Sequence, residues 1–140
     1  SRSSAASDVY NRQLSVSINS LYINEESTPT EYSTADIAVT LAHELGHYLG
    51  LHHVFAETDN GTCEDTDYCK DTKSYNKQEY DSKCDYIYEN EREKYTFKNL
   101  VKRTGCDGIE FISYNIMDYA ISYSNQFTQN QRERIRHVLS

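Results

Sequence analysis

Apolar residues in the first quarter of the chain predict strand structure. They alternate with polar residues and change phase once, and they are Leu14, Val16, Ile18, Leu21 and Ile23. This alternation indicates either one strand with a bulge or two strands around Asn19 and Ser20.

The pattern then changes to a helical period, which predicts a helix from about Thr34 to Leu49. Ser33 and Asp36 have the spacing of an N-terminal capping box. Apolar residues follow at helical intervals, at Ile37, Leu41, Leu45, Tyr48 and Leu49. Gly50 suits the end of this helix, because glycine accepts the left-handed conformation that closes a helix.

The remainder of the chain has one clear element. Residues 54–110 are polar, acidic and weakly periodic, which predicts a long irregular segment. Thr128 and Gln131 form a second capping box and predict a closing helix from about Gln129 to Leu139. The elements together predict one α+β domain over residues 1–140, since the length suits a single core.

Composition and charge exclude two classes of partner. The formal net charge of −8 argues against a nucleic-acid surface, which needs clustered Lys and Arg. No apolar run approaches the roughly 18 residues of a membrane span, and the first residues show no apolar signal-peptide core. We therefore expect no nucleic-acid partner and no transmembrane segment. We also expect a monomer.

The chemistry lies in the stretch from His43 to His53, which contains H-E-x-x-H-x-x-G-x-x-H. His43 and His47 are four residues apart, so a helix places them on one face where both can bind one ion. Gly50 lets the chain turn so that His53 supplies a third ligand. Three neutral ligands leave one position of a tetrahedral zinc open to water, whose pKa the ion lowers, and Glu44 is placed to act as the base.

Histidines can also lie on a helix surface or in a loop without binding a metal ion. A helix with ordinary surface histidines is a poor explanation, because the full motif arises by chance very rarely. His52 is one residue out of register and is better explained as a solvated or loop-bonded histidine.

The motif, together with Asn115-Ile116-Met117-Asp118-Tyr119, resembles the metzincin clan of zinc proteases. In that clan a turn containing a methionine lies beneath the zinc, so residues 115–119 are termed the methionine turn, with Met117 at its centre. The order of elements is most similar to the pappalysin family, whose pattern also includes Cys63, the pair Asp71-Thr72 and the segment Phe127–Gln131.

The resemblance implies further roles. It implies that Tyr119 approaches the zinc and stabilises the reaction intermediate, and that structural calcium binds at Asp67 and Thr72. A merely solvated acidic loop is the alternative to calcium. It also implies an upper part, 1–53, with the zinc helix below a sheet, and a lower part, 54–140. Only about two strands fit before Thr34, so we expect the chain to be a piece of a longer protein or a trimmed one.

The four cysteines contain no C-x-x-C pair, so disulfides are a better explanation than a second zinc site. Three pairings are open, and we favour Cys63 with Cys106 and Cys69 with Cys84. The first bridge would connect the region after the zinc helix with the region before the methionine turn. Disulfides indicate an oxidising compartment and hence a secreted or cell-surface protein.

The sequence thus predicts a zinc endopeptidase that hydrolyses protein substrates through a zinc-bound water activated by Glu44. An extended substrate would lie along a sheet edge, for which Val16 to Asn24 is the candidate. The alternative from another class is a catalytically inactive, zinc-containing binding or adhesion module. The presence of Glu44 favours the enzyme, because an inactive module does not need the base.

Overall fold

The computed structural model describes residues 25–26, 37–58, 60–119 and 121–140. The predicted strand region, the capping box at Ser33 and the first three predicted helical residues lie outside these ranges. The elements are, in order, α1 (Ile37–Tyr48), α2 (Lys77–Asn90), a 3-10 turn (Arg92–Lys94), α3 (Phe97–Leu100), β1 (Lys102–Thr104), β2 (Glu110–Ile112) and α4 (Gln129–Leu139).

Helix α1 ends in a glycine-dependent cap, as predicted. Gly50 has a φ of +92°, in the left-handed region. Its amide donates to the carbonyl of His47 at 3.0 Å, and the amide of Leu51 donates to the carbonyl of Gly46 at 2.9 Å. These two bonds form a Schellman motif, which satisfies the last carbonyls of the helix and turns the chain back towards its own end.

The buried face of α1 consists of small and apolar side chains. Ala42, Gly46 and Leu49 are buried, whereas Leu41 and Tyr48 are exposed. The core that this face joins consists of Ala42, Leu49, Leu51, Val54, Ile116, Met117, Phe127 and Ile135. The methionine turn is therefore packed directly beneath α1.

The prediction that residues 54–110 are irregular is wrong. This segment contains helix α2, the short helix α3 and both strands. Asn76 caps α2, since its side chain accepts a hydrogen bond from the amide of Glu79. The helix has a low apolar content; it buries Ile87, and Tyr80 and Cys84 are half-buried at helical spacing on the same face.

The two strands form an antiparallel hairpin. Arg103 pairs with Phe111, and the neighbouring pairs extend the register by one residue on each side. Gly108, with a φ of +82°, lies in the turn between the strands. The hairpin matters for the site because Arg103 points into the protein interior and is fully buried.

Helix α4 is confirmed over Gln129–Leu139, with both hydrogen bonds of the capping box between Thr128 and Gln131. Arg134 of this helix donates to the carbonyl of Gly50 at 3.0 Å, which fastens α4 to the end of α1. Among the residues with described structure, no helix is both long enough and apolar enough to cross a bilayer.

Candidate metal centre

Three histidine side chains meet at one point below α1. The Nε2 atoms of His43 and His47 are 3.1 Å apart, those of His43 and His53 are 3.3 Å apart, and those of His47 and His53 are 3.0 Å apart. Within the described ranges, these histidines are the one group of three or more His, Cys, Asp or Glu side chains whose ligand atoms lie close enough together to hold one metal ion.

The outer nitrogen of each ring has a hydrogen-bond acceptor. The Nδ1 atom of His43 donates to the carbonyl of Ile116 at 2.8 Å, and that of His47 donates to the carbonyl of Leu51 at 3.0 Å. The Nδ1 atom of His53 donates to the carboxylate of Glu57 at 2.6 Å. Because Nδ1 carries the proton in each neutral ring, each Nε2 presents a lone pair to the shared point.

This arrangement fits a zinc ion. Three lone pairs directed at one another repel, so the short Nε2 separations are not hydrogen bonds and call for a cation between them. Nitrogens about 2.0–2.1 Å from a tetrahedral zinc lie roughly 3.3 Å apart, close to the distances found here. Histidines with anchored Nδ1 protons are also the usual ligands of zinc.

The electrostatics of His43 agree with a neutral ligand. Burial lowers its pKa below the ordinary value and outweighs the hydrogen bond to Ile116, which raises the pKa. The charges of His47 and His53 lower it further, and that of Glu44 raises it. Glu44 itself is exposed, so its carboxylate is accessible to water.

The methionine turn forms the floor of the site. Met117 is fully buried, and a Cβ atom added to Gly46 would overlap its sulfur. The carbonyl of Met117 accepts a hydrogen bond from the amide of Val54 at 3.3 Å. Glycine at position 46 therefore permits the close approach between α1 and the methionine turn.

Two other predicted residues lie further from the histidines. The ring of Tyr119 packs edge-on against Phe55 at 6.3 Å, and Phe55 stacks on His53 at 4.6 Å. Tyr119 is thus one ring removed from the triad. His52 is exposed and touches the edge of Tyr68 rather than the metal ligands.

Asp67 and Thr72 lie together, as the resemblance implies, with the Thr72 hydroxyl donating to Asp67 at 2.5 Å. Burial and the neighbouring Asp65 raise the pKa of Asp67 to about 7, against hydrogen bonds from Thr72 and Cys69 that lower it. The structure thus brings the two side chains together and directs a hydroxyl and an amide at the carboxylate.

One predicted disulfide is present and the other is wrong. Cys63 is bonded to Cys106, with Cα atoms 5.3 Å apart. Cys69 and Cys84 are free thiols. Cys69 lies near Asp67 and Arg134, whereas Cys84 lies on α2 near Tyr80 and Arg103. The two thiols therefore face different surroundings and are not paired.

A buried ionic network beneath the methionine turn was not predicted. The carboxylate of Asp118 accepts hydrogen bonds from Tyr75, at 2.5 Å, and from Ser113. The Nε atom of Arg103 lies 3.5 Å from the same carboxylate, and both side chains are buried. Burial alone would lower the pKa of Arg103, but Asp118 raises it above the ordinary value. Asp118 lies in the methionine-turn motif of the sequence, whereas Arg103 lies in no recognisable motif.

A second unpredicted contact connects the methionine turn with α4. The side-chain amides of Asn115 and Gln131 bond to each other through both of their polar atoms, at 2.8 and 3.0 Å. Asn115 also accepts a hydrogen bond from the amide of Met117 at 2.8 Å. The closing helix therefore helps to hold the methionine turn in place.

Comparison with known proteins agrees with this site. The chain matches the model of the peptidase M43 family, described as pregnancy-associated plasma protein-A, over residues 5–140. Extracellular metalloproteases of Arthroderma benhamiae and Trichophyton verrucosum are each 37% identical to it over 97 residues. A third, from Arthroderma otae, is also 37% identical over 97 residues.

These matches cover 69% of this chain and 29% of each relative, so the chain spans less than a third of their length. No solved structure is a significant match. Because the family model extends over nearly the whole chain, metal-binding motif and closing helix included, the chain belongs to the pappalysin family of metalloproteases, peptidase M43.

Proposed function

We propose that this chain carries the catalytic site of a secreted zinc endopeptidase. The observation that carries the proposal is the convergence of three Nε2 lone pairs, at 3.0–3.3 Å, next to the exposed carboxylate of Glu44. The extracellular naming of the relatives and the disulfide between Cys63 and Cys106 support secretion.

His43, His47 and His53 would hold the zinc through their Nε2 atoms. A zinc ion held there supplies Lewis acidity towards a substrate carbonyl and towards water. Glu44 accepts the proton of the attacking water on its carboxylate and delivers it to the leaving amine, which makes it the general base and then the general acid. Met117 supports the triad from below by packing under Gly46.

Tyr119 is proposed as a donor to the oxyanion of the intermediate. Its ring lies beyond Phe55, so reaching the triad requires rotation of its side chain. The substrate is proposed to be an extended peptide in a cleft between an upper part, 1–53, and a lower part, 54–140. The sheet edge suggested for it, Val16 to Asn24, lies outside the described residues.

The proposal is tested by changing the base without changing the ligands. Glu44→Gln should keep one equivalent of zinc and lose about 10²- to 10⁴-fold in peptidase activity, because the amide accepts no proton. Zinc is measured by mass spectrometry and turnover by digestion of a peptide library. Glu89→Gln, an equivalent change at an exposed position on α2, is the matched control.

Near-normal turnover of the Glu44 variant would place the base elsewhere. A wild-type protein that binds zinc and cleaves no peptide would favour the inactive binding module instead.

Calcium at Asp67 and Thr72 is a separate proposal, supported by their contact and by the neighbouring Asp65. Millimolar calcium should raise the melting temperature of the wild type more than magnesium does, and Asp67→Asn should abolish the difference. An equal response to both ions would contradict calcium binding.

A further inference from the structure

We propose that Glu57 is a positioning residue for the metal centre, holding the third histidine ligand in the tautomer and orientation that zinc requires. The inference rests on the proposed zinc site and adds a residue outside the H-E-x-x-H-x-x-G-x-x-H motif. It is carried by the 2.6 Å hydrogen bond between Nδ1 of His53 and Oε1 of Glu57.

The three ligands differ in what holds them. His43 and His47 lie on α1, and their Nδ1 atoms donate to main-chain carbonyls. His53 lies beyond the helix in a loop, and a side chain accepts its proton. The position of His53 therefore depends on a residue that substitution can remove.

Stacking alone does not orient the His53 ring. Phe55 packs on it with an interplanar angle of 15° and fixes the plane of the imidazole. Rotation of the ring by 180° about its Cβ–Cγ bond would preserve that plane and the stacking, and would replace Nε2 by the carbon Cε1 at the metal point. The hydrogen bond to Glu57 distinguishes these two orientations, because only one of them brings Nδ1 to the carboxylate.

Glu57 is itself held in place. Its amide donates to the hydroxyl of Thr66 at 3.0 Å, across a loop that contains Cys63 and its disulfide. The Glu57 side chain is 42% exposed, and the His53 side chain is 24% exposed. A charged acceptor on the outer nitrogen also makes the imidazole a stronger metal ligand than a carbonyl does.

The test measures two quantities, the affinity for zinc and the ring nitrogen that carries the proton in each histidine. In Glu57→Ala, the dissociation constant for zinc, measured by competition with a chelator, should rise about 10- to 100-fold. Glu57→Gln keeps an acceptor oxygen without the charge, so its loss should be smaller. Glu64→Ala, in the same loop with an exposed side chain, is the matched control and should bind zinc as the wild type does.

Nitrogen-15 spectra of the zinc-free protein supply a readout independent of activity. His53 should be protonated on Nδ1 in the wild type and shift towards Nε2 protonation in Glu57→Ala, whereas His43 and His47 should not change. A change in all three histidines would indicate general loss of structure and overturn the positioning role.

Failure of the two proposals can be told apart. If Glu57→Ala binds zinc within twofold of the wild type, the role of Glu57 is overturned while the zinc site stands. If the wild type binds no zinc, the proposed function is overturned, and the tautomer of His53 still decides whether Glu57 orients the ring.

Discussion

The two sides of the metal centre are held together in different ways. Above, the ligands His43 and His47 are anchored to main-chain carbonyls by their outer nitrogens. Below, polar side chains add to the main-chain bonds of the methionine turn, with Asn115 bonded to Gln131 and Asp118 bonded to a buried network.

This difference shows where the site is vulnerable to substitution. A main-chain acceptor remains whatever side chain replaces it, so the upper anchors survive most mutations. The lower anchors depend on particular polar side chains in a low-dielectric interior, where an unpaired group is costly. We therefore expect the largest losses of stability from the floor of the site rather than from its ligands.

Asp118→Ala should cause the largest loss in the free energy of unfolding. The change leaves the buried guanidinium of Arg103 without its carboxylate, and removal of one partner of a buried pair costs about 3–5 kcal/mol. The free energy of unfolding in urea measures it. Asp85→Ala, which removes an exposed aspartate on α2, serves as the control. A loss below about 1 kcal/mol would show that the network is not needed.

A smaller change in the free energy of unfolding is expected from Cys69, whose neutral thiol is buried in the loop beside α4. Burial, with the nearby Asp67, raises the pKa of the Cys69 thiol to about 11, from an ordinary value of 9.0. The folded protein therefore retains a proton that the unfolded chain releases, so this contribution is complete below pH 9 and is lost as pH rises through about 11.

Cys69→Ala should flatten the decline of stability between pH 9 and pH 11, by roughly 2–3 kcal/mol across that window. Urea unfolding at several pH values measures the difference between variant and wild type. A disulfide reagent should also detect two reactive thiols after unfolding. Equal pH dependence of stability in variant and wild type, or the absence of a reactive thiol, would contradict a free Cys69.

The smallest loss of stability is expected at Gly46, where α1 contacts the methionine turn. In Gly46→Ala the new methyl group overlaps the Met117 sulfur, at a cost of about 1–3 kcal/mol, while alanine favours the helix by about 1 kcal/mol. A net loss of roughly 1 kcal/mol should follow. A stabilised Gly46 variant would contradict the close approach.

The sequence predicted α1 and α4 but not α2, for a physical reason. Both predicted helices carry strong terminal signals, at Gly50 and at the Thr128 capping box. In α2 the side chains turned inward include Tyr80 and Cys84, which are not recognised as an apolar stripe. The wrong pairing of Cys69 with Cys84 has the same origin, since without α2 nothing indicated where Cys84 lies.

The site was predictable to the extent that it is local in sequence. His43 and His47 meet because of helix periodicity, and Gly50 brings His53 back to them. The contacts of Arg103 with Asp118 and of Gln131 with Asn115 connect residues 15 and 16 positions apart. Such contacts depend on how the hairpin and α4 pack, which no spacing rule describes.

The central claim is that three histidines, and not their neighbour, hold one zinc ion. Zinc content by mass spectrometry in single alanine variants tests it most directly. Wild type and His52→Ala should each contain one equivalent, because His52 points to Tyr68, whereas His43→Ala, His47→Ala and His53→Ala should each lose the ion. Retention of zinc by the His53 variant, or its loss from the His52 variant, would contradict the account.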